Sequence, residues 1–381
     1  MRLPGRREAL LALSLGLTLV ATLPAQNLGR RPAAFGGVEL REYRFDERFS
    51  VRSIRQVAIP VGATASLGRF STDIGWYWAA TTLTQPDGLY RRVTGPTDTQ
   101  LRAAFAFGRD AGVASVVLNL PTGRDRMNPA DFDVLGTASS SFLAFPVNAY
   151  ANGGSLTAAL AGVMQAGAWN LGAAGSIRAN RTFTPVVDPV AGPLNYRPGL
   201  EGRIRLGADR LVGASRIAAG LTLSGFRDDA YAGLGTVRGS YQPGRRWIGE
   251  VTVTGPLLGG LATGSVWGYR RSAGDTAGVS IQNAERLAGI ILTGSWVLSP
   301  LVDLEPTLEV RHADLQAGDG LLAGGGLGMR ARVARQSSLL GALRWERGFL
   351  DIQTADEGGG VSVVRTGLTS WHFSVFVRRS F

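Results

Sequence analysis

The chain has 381 residues, a formal net charge of +11 at pH 7, no cysteine, and 40 basic residues that are all arginine. Without cysteine there are no disulfides and no lipid-anchored thiol. The basic balance would suit nucleic acid, but the arginines are scattered and often stand beside acids, and the chain starts with an export signal, so nucleic acid is excluded as a partner.

Residues 1–25 fall into three zones: Arg2, Arg6 and Arg7, then an apolar run over 9–20, then small residues around Pro24 ending at Ala25. This is the layout of a cleaved secretory signal peptide. Its apolar core of about 12 residues is too short to span a bilayer as a helix. Residues 26–50 are polar and mixed in charge, and are expected to form a periplasmic or plug segment that enters a lumen. Residues 51–381 are expected to form one transmembrane β-barrel with no separate soluble domain. No later apolar run is long enough for a membrane helix, so a membrane location requires a closed sheet.

The hydrophobic period along this region is two. Leu101, Ala103, Phe105 and Phe107 share a face; so do Ile204, Leu206 and Ala208; Ile217, Ala219, Leu221 and Leu223; Trp247, Val251 and Val253; Val302, Leu304, Leu308 and Val310; and Leu327, Met329, Ala331 and Val333. Alternation marks strands with one apolar and one polar face. Runs of roughly 9–12 residues match tilted membrane strands better than the shorter strands of a soluble sandwich. Residues 111–120 and 287–298 are apolar on both faces for part of their length. Residues 141–168 are rich in Ala, Ser and Gly and are expected to hide a short helix or a plug. Pro60, Pro146 and Pro306 fall in or near strands, where each removes a ladder hydrogen bond and suggests a bulge, kink or strand end. Trp76, Tyr77, Trp78, Trp169, Trp247, Trp267, Tyr269, Trp296, Trp345 and Trp371 are read as an aromatic girdle at the head-group level. Polar Gly/Pro-rich punctuation separates the strands. At roughly 25 residues per strand and connection, the expected fold is an all-β, closed antiparallel transmembrane barrel of about 14 strands, within 12–16.

The polar faces give candidate lumen residues. Glu201, Arg203 and Arg205 share one such face, Asp303, Glu305 and Glu309 another, and Arg330 and Arg332 a third. Arginine beside carboxylate on neighbouring strands would form charge-assisted ladders that fix register, or would simply solvate a water-filled interior. Catalysis finds little footing. His312 and His372 are the only histidines, and His312 with Asp314 is a weak fragment of a hydrolase triad. Asp131 with Asp133, and Asp228 with Asp229, read as solvated loop carboxylates rather than a calcium site. The chain is expected to be no enzyme and to need no cofactor or metal.

The last strand ends in Phe381, with Val377, Val375, Phe373 and Trp371 on the same alternation and Arg379 interrupting it. It resembles the closing strand of bacterial outer-membrane proteins, which implies recognition by the barrel-insertion machinery and a location among outer-membrane lipids. The segment Val116-Val-Leu-Asn-Leu-Pro-Thr-Gly-Arg124 resembles a strand-to-turn segment of the long-chain fatty-acid and aromatic-hydrocarbon transporter group, including a subgroup linked to phenol degradation. That resemblance implies a 14-stranded barrel, an N-terminal plug and passive uptake of a small hydrophobic solute. A strand kink at Pro121 or Pro146 would then offer a sideways exit. The other readings are a general diffusion porin, a closed structural or interaction barrel, and a secreted sandwich or adhesin.

Overall fold

The computed structural model describes residues 32–46, 49–233, 237–276, 279–315, 318–355 and 361–381. The export signal expected at 1–25 lies outside these. The chain runs through β1 (Ala33–Phe45), β2 (Ser53–Leu67), β3 (Phe70–Thr84), β4 (Tyr90–Pro96), β5 (Thr99–Phe107) and β6 (Gly112–Leu120). After a long connection come β7 (Ser155–Ala166), β8 (Trp169–Asn180), β9 (Phe183–Asp188), β10 (Gly192–Arg197), β11 (Glu201–Val212) and β12 (Ser215–Phe226). Then follow β13 (Asp229–Gly233), β14 (Val237–Tyr241), β15 (Arg246–Leu257), β16 (Gly260–Arg271), β17 (Gly274–Thr276) and β18 (Val279–Gln282). The last are β19 (Glu285–Ser299), β20 (Val302–Leu315), β21 (Gly318–Ala334), β22 (Ser337–Ala355) and β23 (Val361–Ser380).

Each wall strand pairs antiparallel with its sequence neighbour in the wall, and β1 pairs with β23 from Ala33↔Ser380 to Phe45↔Leu368, which closes the sheet. Both β4 and β5 lie against β3 and together make one stave, so the barrel has sixteen. Closure leaves no edge strand and satisfies the backbone without water, as a bilayer demands. The staves outnumber the expected fourteen because the connections at one end are tight. Gly167-Ala168 and Gly213-Ala214 are two-residue turns, with φ of +59° and +61° at the glycines. Only glycine adopts that backbone without a steric cost. Both described chain ends lie at this short-turn end, which is the periplasmic side of such barrels.

Residues 26–50 are not a plug throughout: Ala33–Phe45 is the first wall strand. Its Gly36-Gly37 pair and its four charged residues, Glu39, Arg41, Glu42 and Arg44, hide the alternation. Gly37 is needed at the seam, because a Cβ there would lie 2.4 Å from the Val375 carbonyl and from the Phe376 ring. Pro60 and Pro306 stay within β2 and β20, and each interrupts pairing on one side only. The β1–β2 register skips from Gly36↔Val61 to Glu39↔Ala58, and the β19–β20 register from Thr293↔Thr307 to Trp296↔Leu304.

The outer face carries the large exposed apolar side chains of every stave, including Val116, Leu160, Ile204, Val251, Ile290, Leu308, Met329 and Phe373. Phe70, Phe105, Phe107, Trp169 and Phe381 ring the short-turn end, and Trp247 stands near the other. Trp267 and Tyr269 do not belong to this girdle. In register with Glu250 and Ile248, they sit on the inner face against an apolar cluster in the lumen.

The long-loop end carries a second layer. Strands β9, β10, β13 and β14 form a four-stranded sheet and β17–β18 a hairpin, both built from the connections between staves.

Candidate functional site

Residues 121–154, between β6 and β7, fold into the barrel. The segment begins with Pro121, passes a single turn at Pro129–Asp131 and a short helix at Phe132–Ala138, and returns through Pro146 to Gly154. The Ala/Ser/Gly-rich stretch expected to hide a helix or plug therefore divides: its first part belongs to this inward loop and its remainder is β7. Neither Pro121 nor Pro146 lies within a stave, so neither kinks the wall.

The loop is held by its apolar side. Phe142, Leu143 and Phe145 are buried with Tyr43, Ile54, Leu287, Ala313, Leu322 and Leu368 of the wall. Val134, Val147 and Tyr150 are buried with Ala58, Ala79, Leu83 and Val93. Wall side chains also meet its backbone. Gln56 donates to the Val147 carbonyl at 2.7 Å and accepts from the Val147 N–H at 2.8 Å. Arg311 donates to the Phe142 carbonyl at 2.6 Å. Tyr43 donates to the Leu143 carbonyl and Arg41 to that of Ala144. Tyr150 shares a hydrogen bond with Thr81 and donates to the Val93 carbonyl at 3.0 Å. These bonds meet the requirement that buried backbone groups be paired.

The neck of the loop is clasped by one carboxylate. Asp98, at the break between β4 and β5, accepts the Gly123 N–H at 3.0 Å and the Asn152 N–H at 2.7 Å, so one side chain ties both ends. Asp131 pairs with Arg124 at 3.1 Å and Asp133 with Arg91, and Asp229 accepts from Tyr196 and from the Gly199 N–H. These loop carboxylates are engaged in shaping the loops.

Behind the loop lies a buried charge network. Glu309, Arg311, Arg344 and Glu346 bond across β20 and β22, with Arg344–Glu309 at 2.6 Å, Arg311–Glu309 at 3.4 Å and Arg311–Glu346 at 3.5 Å. Arg311 and Glu346 are 4% and 3% exposed. Beside them His372 stands 3.6 Å from the buried Glu39. Charges this deep are tolerated when they are paired and hydrogen-bonded.

The wall formed by β7, β8, β11, β12 and β15 carries none of these anchors, and its inner face is polar. Glu201 pairs with Arg203 at 2.6 Å, Arg205 with Glu250 at 2.5 Å, and Asp209 with Arg216 at 3.0 Å and Asn170 at 3.2 Å. Towards the short-turn end Thr252 bonds Ser265 and Thr254 bonds Thr263. In the loop, Phe132, Asp133, Ser139, Ser141 and Asn148 are exposed, with Asp133 paired to Arg91 of β4.

The structure thus puts Glu201, Arg203, Arg205, Asp303, Glu305, Glu309, Arg330 and Arg332 on the inner face, in three groups. Glu201, Arg203 and Arg205 belong to the polar wall. Glu309 belongs to the network behind the loop. Glu305 pairs with Arg330 at 2.8 Å towards the short-turn end, while Asp303 and Arg332 form no ion pair among the described residues. Trp371, Phe373, Val375 and Val377 share the lipid face of β23, and the Arg379 guanidinium lies 5.5 Å from the Phe381 ring centre. His312 and Asp314 are exposed on the outer face, away from the lumen. Gln56, Asp98 and Arg311, which hold the loop, are not marked by any motif.

No family model matches the chain, and no curated protein matches it significantly. Among solved structures, the chain is similar to the outer-membrane expressed OmpT of Vibrio cholerae, at 11% identity and TM-score 0.42, over 93% of this chain and 99% of that one. It is also similar to a Pseudomonas aeruginosa FadL homologue, at 8% identity and TM-score 0.48, over 92% and 90%. A third is the CymD monoaromatic hydrocarbon channel, at 8% identity and TM-score 0.43, over 94% and 90%.

Proposed function

We propose that the protein is an outer-membrane channel for the passive passage of small water-soluble solutes, narrowed by the inward loop 121–154. The carrying observation is the two-sidedness of that loop. Its buried apolar side chains pack on one wall and leave Ser139, Ser141 and Asn148 exposed, while the inner face of β11, β12 and β15 carries paired charges and hydroxyls. A barrel of sixteen staves is wide enough to leave an aqueous channel beside such a loop. Insertion would follow from the closing strand, with Trp371, Phe373, Val375, Val377 and Phe381 read by the barrel-insertion machinery.

A second reading is passage of small hydrophobic compounds. It draws on Trp267 and Tyr269, inner-face aromatics packed beside the lumen cluster, where an apolar solute would shed water-exposed area. The experiment compares purified protein in planar bilayers and liposomes. Stepwise conductance with sugar-driven swelling supports the aqueous channel. Uptake of a labelled fatty acid or aromatic hydrocarbon above barrel-free controls, without sugar passage, supports the second reading. Neither activity leaves a closed structural barrel.

A further inference from the structure

The outer face of the wall carries a depression at its long-loop end. Gly202 lies between Ile177 of β8 and Gly225 of β12 in the paired register. A Cβ built on either glycine meets nothing within 4 Å. Ile177, Ile204, Leu223 and Trp247 stand around them and give a mainly apolar cleft of about 810 Å³. Exposed Leu, Val and Ile side chains cover much of the rest of this face.

The cleft continues upward into a second one of about 550 Å³ that shares Gly202, Gly225 and Arg245 with it. There the lining changes to Arg227, Arg245, Gln242 and Ser272, with one carboxylate, Asp275, so that two guanidiniums stand against a single acid. Both arginines are exposed and neither forms an ion pair among the described residues. The step from apolar to cationic falls beside Trp247, at the level where a tryptophan marks the head-group boundary. An apolar slot in the membrane topped by two free guanidiniums and hydrogen-bonding side chains matches one kind of molecule. It must have a hydrocarbon chain below and an anionic, hydroxyl-bearing head above.

We propose that this continuous groove is a lipid site that seats a phosphorylated glycolipid of the outer leaflet, one acyl chain lying over Gly202 and Gly225 and a phosphate held by Arg227 and Arg245. Guanidinium suits phosphate because its N–H groups match two oxygens at once. The long-loop end faces the outer leaflet because both described chain ends lie at the opposite, short-turn end.

The test is native mass spectrometry of the full chain folded in detergent, with bisphosphorylated lipid A, dephosphorylated lipid A and phosphatidylglycerol offered separately. The wild type should retain one lipid A in preference to the other two. The double variant G202L/G225L fills the slot from two positions where a Cβ meets no protein atom within 4 Å, and should lower retention about tenfold, as should R227S/R245S, the scale of one lost charge-assisted contact. Gly249 also has open space outside it and lies outside the groove, so G249L should retain lipid like the wild type. A gel shift on heating checks that each barrel is closed. Equal retention by wild type and both double variants overturns the site. Equal retention of dephosphorylated lipid A overturns the role of the arginines, and equal retention of phosphatidylglycerol overturns the glycolipid head. If G202L/G225L does not close, the single variant G225L and R227S/R245S carry the same test.

Discussion

Replacing Gln56 by methionine keeps the size of the side chain and removes both of its bonds to Val147. The amide is buried; it bonds the N–H and carbonyl of Val147 in the inward loop, at 2.8 and 2.7 Å, and donates to the Thr81 hydroxyl of β3 at 2.8 Å. Water does not replace them while the loop is docked, so both backbone groups are left unpaired. At roughly 1–2 kcal/mol for each, the docked loop loses about 2–4 kcal/mol. Because 1.36 kcal/mol is tenfold, this raises the undocked fraction by a factor of roughly 30 to 800. The β2 ladder bonds on both sides run through the backbone and are kept, while the wall loses the one side-chain bond from Gln56 to Thr81. The measurement is hydrogen exchange of the loop peptide containing Val147, with the gel shift on heating as a check on the barrel. Exchange should speed up by that factor, and single-channel current should become noisier as the constriction opens more often. Loop exchange within about twofold of the wild type, with the barrel intact, would refute the view that Gln56 holds the loop, because local opening reports local stability.

Replacing Arg330 and Arg332 by serine removes two inner-face cations and leaves Glu305 without its partner at 2.8 Å. The reversal potential in a salt gradient should move away from anion preference, and an unchanged potential removes these residues from any role in selectivity. At the closing seam, G37V drives a side chain into the Val375 carbonyl and the Phe376 ring, at a cost on the order of 1–3 kcal/mol. The heat-modifiable band should be lost at a lower temperature than in wild type, whereas G249V, facing open space, should keep it; equal behaviour refutes the close seam. Outside the membrane, the N–H groups of Ala191 and Val190 hold the Asp188 carboxyl below its ordinary range. Its contribution to the order of the β9–β10 hairpin is therefore present above the ordinary carboxylate pKa and lost only as pH falls through the depressed value. The amide shifts of Val190 and Ala191 followed by NMR should titrate below about 3.9, and a midpoint at or above it refutes the interaction.

The wall of this protein was legible because a lipid-facing strand has one requirement, an apolar residue at every second position. Ile204, Leu206 and Ala208, or Leu327, Met329 and Ala331, state it without help from the rest of the chain. Strand β1 was not legible. Glu39, Arg41 and Glu42 crowd the stretch, Gly36 and Gly37 remove two side chains, and the apolar count falls below what a membrane strand ordinarily shows. The buried Glu39 has His372 3.6 Å away across the seam, a neighbour 333 positions away that no local pattern announces. Charged ladder residues such as Glu201, Arg203 and Arg205 could be read as one polar face, but their partners could not. Glu250 stands two staves from Arg205, and the bond between them depends on the arginine reaching across Gly220.

The places where alternation weakens carry the information about the loop. A stave that meets lipid outside and water inside alternates cleanly. A stave that meets lipid outside and a folded loop inside needs apolar residues on both faces, because the loop buries its own apolar side there. Residues 287–298 read as apolar on both faces, and the structure puts Leu287 in the cluster with Phe142 and Phe145. On β2, Ile54 and Ala58 are fully buried on the inner face, interleaved with Gln56, whose amide serves the loop backbone. On β11, which the loop does not touch, the inner face keeps Glu201, Arg203, Arg205 and Asp209 without an apolar residue among them. At residues 287–298 the loss of alternation thus marks a side of the wall that the inserted segment covers. On β11, opposite, alternation stays strict because no buried cluster of the loop lies against it.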